Sequence, residues 1–226
     1  MQARLSLEGF LGLYLTLGTI ALVGATWLFG GIAEDVVNGD PLIVVDARFT
    51  AWLHAHALEP LTTLMLLVTT VHATLGVSIM TLAVSAWLLR RRLYYWALTV
   101  MLSVFGGMLL NVLLKNIFQR PRPHFTSPIL PLITYSFPSG HTMMATVFYG
   151  SLCALAVARM RRWPSRALAI FIAVFMVAVV GFSRIYLGFH YPSDVLGAIA
   201  EGLAWLALCL TTVEMLRRGR QSDNPR

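Results

Sequence analysis

Charge is what this chain has least of. Only 12% of its 226 residues are Asp, Glu, Lys or Arg, against roughly a quarter in a soluble domain. Lysine is all but missing: Lys115 is the single copy, and every other basic side chain is arginine. There are two cysteines, Cys153 and Cys209, both inside apolar runs. That excludes a disulfide framework and a cysteine-based metal site, and leaves the pair as small packing residues. No cluster of carboxylates suited to a hard cation occurs, so neither metal nor other cofactor is expected. No internal repeat is present, so the inverted-repeat signature of many transporters is missing.

What fills the chain instead is apolar. Hydrophobic residues make up 58% and mean hydropathy is +0.73. Several runs reach the roughly 20 residues that a helix needs to cross a bilayer. The expected fold is an all-α integral membrane protein, one domain over 1–226, with six transmembrane helices near 9–32, 60–89, 93–116, 140–159, 165–187 and 193–216. The run from Phe10 to Ile32 is long for a signal-peptide core and no clear cleavage site follows it, so it reads as a retained span. Residues 45–58, VDARFTAWLHAHAL, predict a short outer-side helix lying at headgroup level. Asp46 is placed to cap it, with Phe49, Trp52 and Leu53 on one face. It could be a lid over a lipid-facing site or only a connector.

The net charge is +7, but its placement excludes a nucleic-acid reading. Arg4, Arg90–Arg92, Arg159, Arg161, Arg162, Arg166, Arg217, Arg218 and Arg220 all fall on one side of a six-span layout. Short arginine-rich loops mark the cytoplasmic side. Glu34, Asp35, Asp40, Asp46 and Glu59 fall on the other. Both termini are then expected in the cytoplasm, with QSDNPR after Arg220 a short disordered end.

Three segments emerge on the outer side at helix ends: KNIFQRPRP (115–123), FPSGHTMM (137–144) and SRIYLGFHYPSD (183–194). They bring Lys115, Arg120, Arg122 and Arg184 to one membrane depth, against the topology bias. Charges there cost roughly 2.5–3.5 kcal/mol each, and few acids are available to offset them. A polyanion is the natural complement. Phosphate suits best, because arginine forks match its oxygens and lysine adds a point charge. Ser139 and Gly140 open the fourth span, where free N–H groups bind anions. His190 and Asp194 are four apart and share a side of a helical turn that Pro192 can start. Asp194 can then fix the tautomer of His190 and raise the basicity of its other nitrogen. His141 is placed to act as an acid. Singly, these are a rim histidine, a helix start and a packing pair. Coincidence of all three on one face argues for a site.

The residues resemble the type 2 phosphatidic acid phosphatase superfamily, the lipid phosphate phosphatases. That family's pattern is K-x6-RP, then PSGH, then SR-x5-H-x3-D. Here it reads Lys115–Arg122–Pro123, Pro138–Ser139–Gly140–His141 and Ser183–Arg184–His190–Asp194. The resemblance implies that His190 attacks phosphorus and forms a phosphohistidine, that Asp194 orients it, and that His141 protonates the leaving group. It implies that Lys115, Arg122, Ser139, Gly140 and Arg184 hold the phosphoryl oxygens, with no metal or other cofactor. The substrate class would be a membrane lipid phosphate: phosphatidylglycerol phosphate, undecaprenyl pyrophosphate, phosphatidic acid or lipid A phosphate. The bilayer and that lipid are the only partners implied. The enzyme would sit in the cytoplasmic membrane with its site facing the periplasm or exterior.

Three alternatives stay open from sequence. One is a phosphotransferase using the same phosphohistidine. Another is a non-enzymatic anion- or lipid-binding protein. The third is a vanadate-dependent haloperoxidase, which six apolar spans argue against. Of the two RP pairs, only Arg122 has the family's spacing from Lys115, so Arg122 is expected in the site and Arg120 at the headgroup rim. Asn111 is expected to steady the site, Glu201 and His72 to be paired in the bundle, and His124 is a candidate headgroup contact.

Overall fold

The computed structural model describes residues 7–39, 41–124 and 134–222. Arg4, Asp40 and the last four residues of the tail lie outside them; Gln221 and Ser222 are helical. Among the described residues the regular structure is helical: α1 (Leu7–Asn38), α2 (Pro41–Ala55), α3 (Glu59–Val71), α4 (Thr74–Arg90), α5 (Tyr94–Met101), a π-helical turn (Leu102–Gly106), α6 (Gly107–Phe118), α7 (Gly140–Arg159), α8 (Trp163–Tyr186) and α9 (Pro192–Ser222). Five helical stretches are long and apolar enough to span a bilayer, among them α5 and α6 running on as Tyr94–Phe118. A sixth span forms if α3 and α4 are taken together across their 54° bend.

That bend is the main departure from the expected helix 60–89. The backbone leaves α3 at His72 and is extended at Ala73 before α4 begins. No proline marks it. A Cβ at Gly76 would run into the carbonyl oxygen of Val71, so the close approach requires glycine. His72 sits in the break as the expected paired residue: Val68 O lies 2.8 Å from its Nδ1 and the Tyr149 hydroxyl 2.7 Å from its Nε2.

α7 is the central element and packs against α4, α5, α6, α8 and α9. Its core contains Met143, Met144, Val147 and Phe148 against Val77, Val104, Ala198 and Leu206. α1 packs along α9. A second cluster, Leu53, Met65, Ile185, Tyr186, Leu187, Phe189 and Val195, joins α2, α3, α8 and α9 beside the site. α2 begins four residues earlier than expected, and its face is split. Phe49 and Trp52 are exposed while Leu53 is buried, so the three do not share a side. Asp46 is not a cap of α2; it lies mid-helix and only 1% exposed.

Where α9 meets the segment before α7, Phe137 is fully buried between the rings of Phe29 and Phe118, at 5.6 and 5.1 Å. A Cβ at Gly197 would come within 2.6–2.8 Å of the Phe137 ring, which has nowhere to retreat. Overpacking a filled core costs about 1–3 kcal/mol. Gly197→Ala is therefore expected to lower the thermal midpoint in detergent by several degrees. An unchanged midpoint would show that the ring can shift.

Candidate active site

The three motif segments converge because each sits at a helix end on the same side of the bundle. α6 ends at Phe118, and Gln119 turns left-handed (φ 47°, ψ 31°) with its N–H on Lys115 O at 3.0 Å. α8 ends at Tyr186 and turns through Gly188, at φ 71°. The Ser139 N–H donates to the Asp194 carbonyl at 3.1 Å, tying the start of α7 to the start of α9.

His190 lies just before α9, 1% exposed. Its Nδ1 faces Asp194 Oδ2 at 3.3 Å and its Nε2 faces Arg122 Nη1 at 3.2 Å. With Nδ1–H donating to the carboxylate, Nε2 carries the lone pair, and it points at the guanidinium. Burial holds the imidazole well below its usual pKa of 6.5, and Arg122, Lys115, Arg184 and His141 push in the same direction. The ring is therefore neutral and nucleophilic at neutral pH. Asp194 also accepts from Arg120 Nη1 at 2.6 Å, from the Tyr191 N–H at 2.9 Å, and from the Ser136 hydroxyl. Pro192 is the first residue of α9, so Asp194 stands at its third position and caps the N–H of the residue before the helix, as a capping-box acid does. The carboxylate is thus locked by the helix start it belongs to.

The cations ring this pair. Arg122 donates to Thr134 O at 2.6 Å and Phe189 O at 2.7 Å; burial pulls its guanidinium below the usual range, with Asp194 opposing. Lys115 Nζ donates to Tyr135 O at 2.8 Å and Ser136 O at 3.3 Å. Arg184 donates to the Thr69 hydroxyl, and its Cζ lies 4.3 Å over the Phe189 ring. Ser139 makes no capping bond to α7; its hydroxyl lies 3.0 Å from that of Thr142. A Cβ at Gly140 would come within 3.0 Å of Asn111 Oδ1. His141, in the first turn of α7, is half-buried and close enough to act on the His190 ring. Beneath them, Asn111 Nδ2 donates to Glu201 Oε2 at 2.9 Å, which gives Glu201 the bundle partner expected of it. His124 is exposed. Among the described residues no group of three His, Cys, Asp or Glu could hold a metal. The arrangement is a neutral, oriented nucleophile facing concentrated positive charge, which is what transfer of a phosphoryl group between oxygen and nitrogen needs.

A family model described as the PAP2 superfamily matches residues 96–218, more than half of the chain. The chain belongs to the PAP2 superfamily. Among curated relatives, phosphatidylglycerophosphatase B of Bacillus subtilis (strain 168) is 38% identical over 128 residues, covering 56% of this chain and 63% of its own. Undecaprenyl-diphosphatase BcrC of the same organism is 33% identical over 102 residues, covering 43% and 48%. A lipid A 1-phosphatase of Rhizobium johnstonii is 36% identical over 126 residues, covering 51% and 46%. The alignments thus span about half to under two thirds of those relatives. A solved structure, the transmembrane PAP2-type phosphatidylglycerolphosphate phosphatase from Bacillus subtilis, superposes with a TM-score of 0.78 at 26% identity, over 87% of this chain and 98% of that one.

One sequence expectation for this PAP2 chain is overturned. Arg120 is not at the rim. It is 6% exposed and bridges Asp194 to Asp46, at 2.6 and 2.9 Å. The physical reason is the left-handed turn at Gln119, which aims the next side chain inward under α9. Sequence reasoning also missed Thr69, Thr134, Ser136 and Ser193, which carry no spacing signal. It assigned Asp46 only as a local cap, although an acid flanked by Val44, Val45 and Ala47 was a sign of burial. A cavity of about 880 Å³ opens at the opposite, arginine-rich end, lined by Arg92, Arg159, Arg166 and Arg217 among others. None of His72, His141 and His190 lines it.

Proposed function

We propose that this protein is a metal-independent lipid phosphate phosphatase that works through a phosphohistidine on His190 Nε2. The observation that carries the reading is the His190 ring held between Asp194 on Nδ1 and Arg122 on Nε2. Substrate phosphoryl oxygens take over the N–H groups of Arg122, Lys115 and Arg184 and those at the start of α7, which frees the Nε2 lone pair. Nε2 attacks phosphorus and the P–O bond to the lipid breaks. His141 gives its proton to the departing oxygen. Water then attacks the phosphohistidine, returning a proton to His141 and releasing phosphate.

The substrate is a lipid carrying a phosphomonoester or diphosphate, the class named in the relatives. Its chains stay in the bilayer while the headgroup enters at helix ends. The arginines at 90–92, 159–166 and 217–220 lie at the other end of the bundle, so the positive-inside rule puts the site on the periplasmic or exterior face of the cytoplasmic membrane. The whole chain forms the one phosphatase domain.

The test is phosphate release by the purified protein from phosphatidylglycerol phosphate, undecaprenyl pyrophosphate, phosphatidic acid and lipid A 1-phosphate, each across pH. Release from at least one is expected, and release from none overturns the reading. Because burial and the surrounding cations hold His190 below 6.5, it stays neutral as pH falls to 6.5 and protonates only beyond. The acid limb of kcat/KM is therefore expected below pH 6.5. A limb at or above 6.5 would contradict His190 as the free-enzyme nucleophile.

A further inference from the structure

Asp46 belongs to none of the three motifs, yet it is as buried as the His190–Asp194 pair and joined to it. Its Oδ1 accepts the Ser193 N–H at 3.0 Å, and its Oδ2 accepts from Arg120 Nη2 at 2.9 Å and from the Ser193 hydroxyl. Ser193 is the second residue of α9, so a side chain from α2 accepts one of the free N–H groups of the first turn of α9. Arg120 Nη1 also donates to the Ser193 hydroxyl at 2.7 Å, and the guanidinium lies 4.3 Å over the Tyr191 ring. One arginine is therefore shared by two carboxylates, directly behind the nucleophile.

We propose that Asp46 and Arg120 are positioning residues for the His190–Asp194 pair, with Asp46 keeping the Asp46–Arg120–Asp194 triad one negative charge in excess. The inference rests on His190 being the nucleophile. Arg120 alone with Asp194 would neutralise the carboxylate that His190 depends on. Asp46 takes half of that guanidinium. Arg120 then binds Asp194 through Oδ1 only and leaves Oδ2 turned to His190 Nδ1. When Nε2 bonds to phosphorus the ring keeps its Nδ1–H and becomes cationic. It then faces Lys115, Arg122, Arg184 and His141 around it. The surplus negative charge behind Asp194 offsets that charge as it develops. Neither Asp46 nor Arg120 touches the phosphoryl group, so their effect falls on kcat rather than on binding.

The experiment uses the full chain and a lipid phosphate that the wild type turns over and His190→Ala does not. Failure of that control overturns the phosphatase reading itself. With the control in place, Asp46→Asn is expected to lower kcat ten- to hundredfold with KM within threefold. Asp46→Glu, which restores the charge, is expected to recover at least threefold of the loss. A kcat within threefold of wild type, or a KM that rises while kcat holds, overturns the proposal. If Asp46→Asn does not accumulate as folded protein, Arg120→Lys carries the same test. It keeps the positive charge, but a single ammonium cannot present two parallel N–H groups to two carboxylates. The same fall in kcat at constant KM is expected, and wild-type kcat overturns the proposal.

Discussion

His190→Ala is expected to abolish phosphate release, lowering kcat by about three orders of magnitude or more and leaving no acid-labile phosphoenzyme. Three features of the ring concentrate this effect in one residue. Its Nε2 faces Arg122 at 3.2 Å, in the direction from which a phosphoryl group would arrive. Its Nδ1 is bound to a carboxylate that three other donors also hold in place, Arg120, Ser136 and the Tyr191 N–H, while the Ser139 N–H holds the backbone carbonyl of Asp194. Its surroundings suppress protonation. Water admitted by the alanine has no comparable orienter, because Asp194 loses only one of several partners and stays locked. The check is single-turnover phosphate release from the lipid that the wild type uses, with the thermal midpoint measured alongside. Removing a fully buried ring from a site crowded with cations also removes an obstacle to their closer approach, so a modest midpoint change is compatible with the argument. Retained turnover is not, and would return the protein to the anion-binding class that sequence left open.

The site was legible in sequence for a geometric reason. Lys115, Ser139–His141, Arg184 and His190–Asp194 all sit within about a turn of a helix end, and antiparallel spans alternate the sides on which those ends emerge. Counting spans was enough to place the residues on one face. The resemblance to the K-x6-RP pattern also favoured Arg122 over Arg120 as the site residue, and Arg122 is the one that lies beside His190 Nε2. What spacing could not show is which way the chain turns after α6. That depends on one left-handed residue, Gln119, of a type that only occasionally takes that conformation. The turn puts Arg120 under α9, between Asp46 and Asp194 rather than beside His190.

The fold shows the same division. Hydropathy located the helix ends to within two residues, except that α1 and α9 run six residues further at their C-terminal ends, since length and apolarity are what a bilayer demands. It could not reveal that the second span is broken, because apolar sequence resumes on both sides of His72 and Ala73 and no proline falls between them. The break follows from a contact between Gly76 and the Val71 carbonyl, and glycine inside an apolar run has no single meaning. The outer helix was visible as an element, but its register was not. It starts at position 41, four residues before the expected start at 45, so Asp46 lies inside the helix rather than at its cap. That shift turns Asp46 inward to the site.

The two arginines of the RPRP stretch should therefore fail differently. Arg122→Ala is expected to leave a folded protein whose kcat/KM falls about 10²–10³-fold, in the range for losing a guanidinium from a phosphoryl-transfer site. The protein partners of Arg122 are mostly carbonyl oxygens of residues 134, 135 and 189, and neutral acceptors tolerate its loss. Arg122→Lys should recover little, because an ammonium cannot reach Thr134, Phe189 and a phosphoryl oxygen together. Arg120→Ala removes the only guanidinium between two carboxylates that are 1% and 0% exposed. Leaving buried charges without their partner costs about 3–5 kcal/mol, a large part of what holds a domain folded. Its lesion should appear first as lost folded protein and a lowered midpoint, with the kcat of what remains folded also reduced because Asp194 loses its partner. Measuring kcat/KM per folded molecule separates the two. If Arg120→Ala folds at wild-type yield while Arg122→Ala does not, the assignment of Arg120 to the scaffold and Arg122 to the phosphoryl group is reversed.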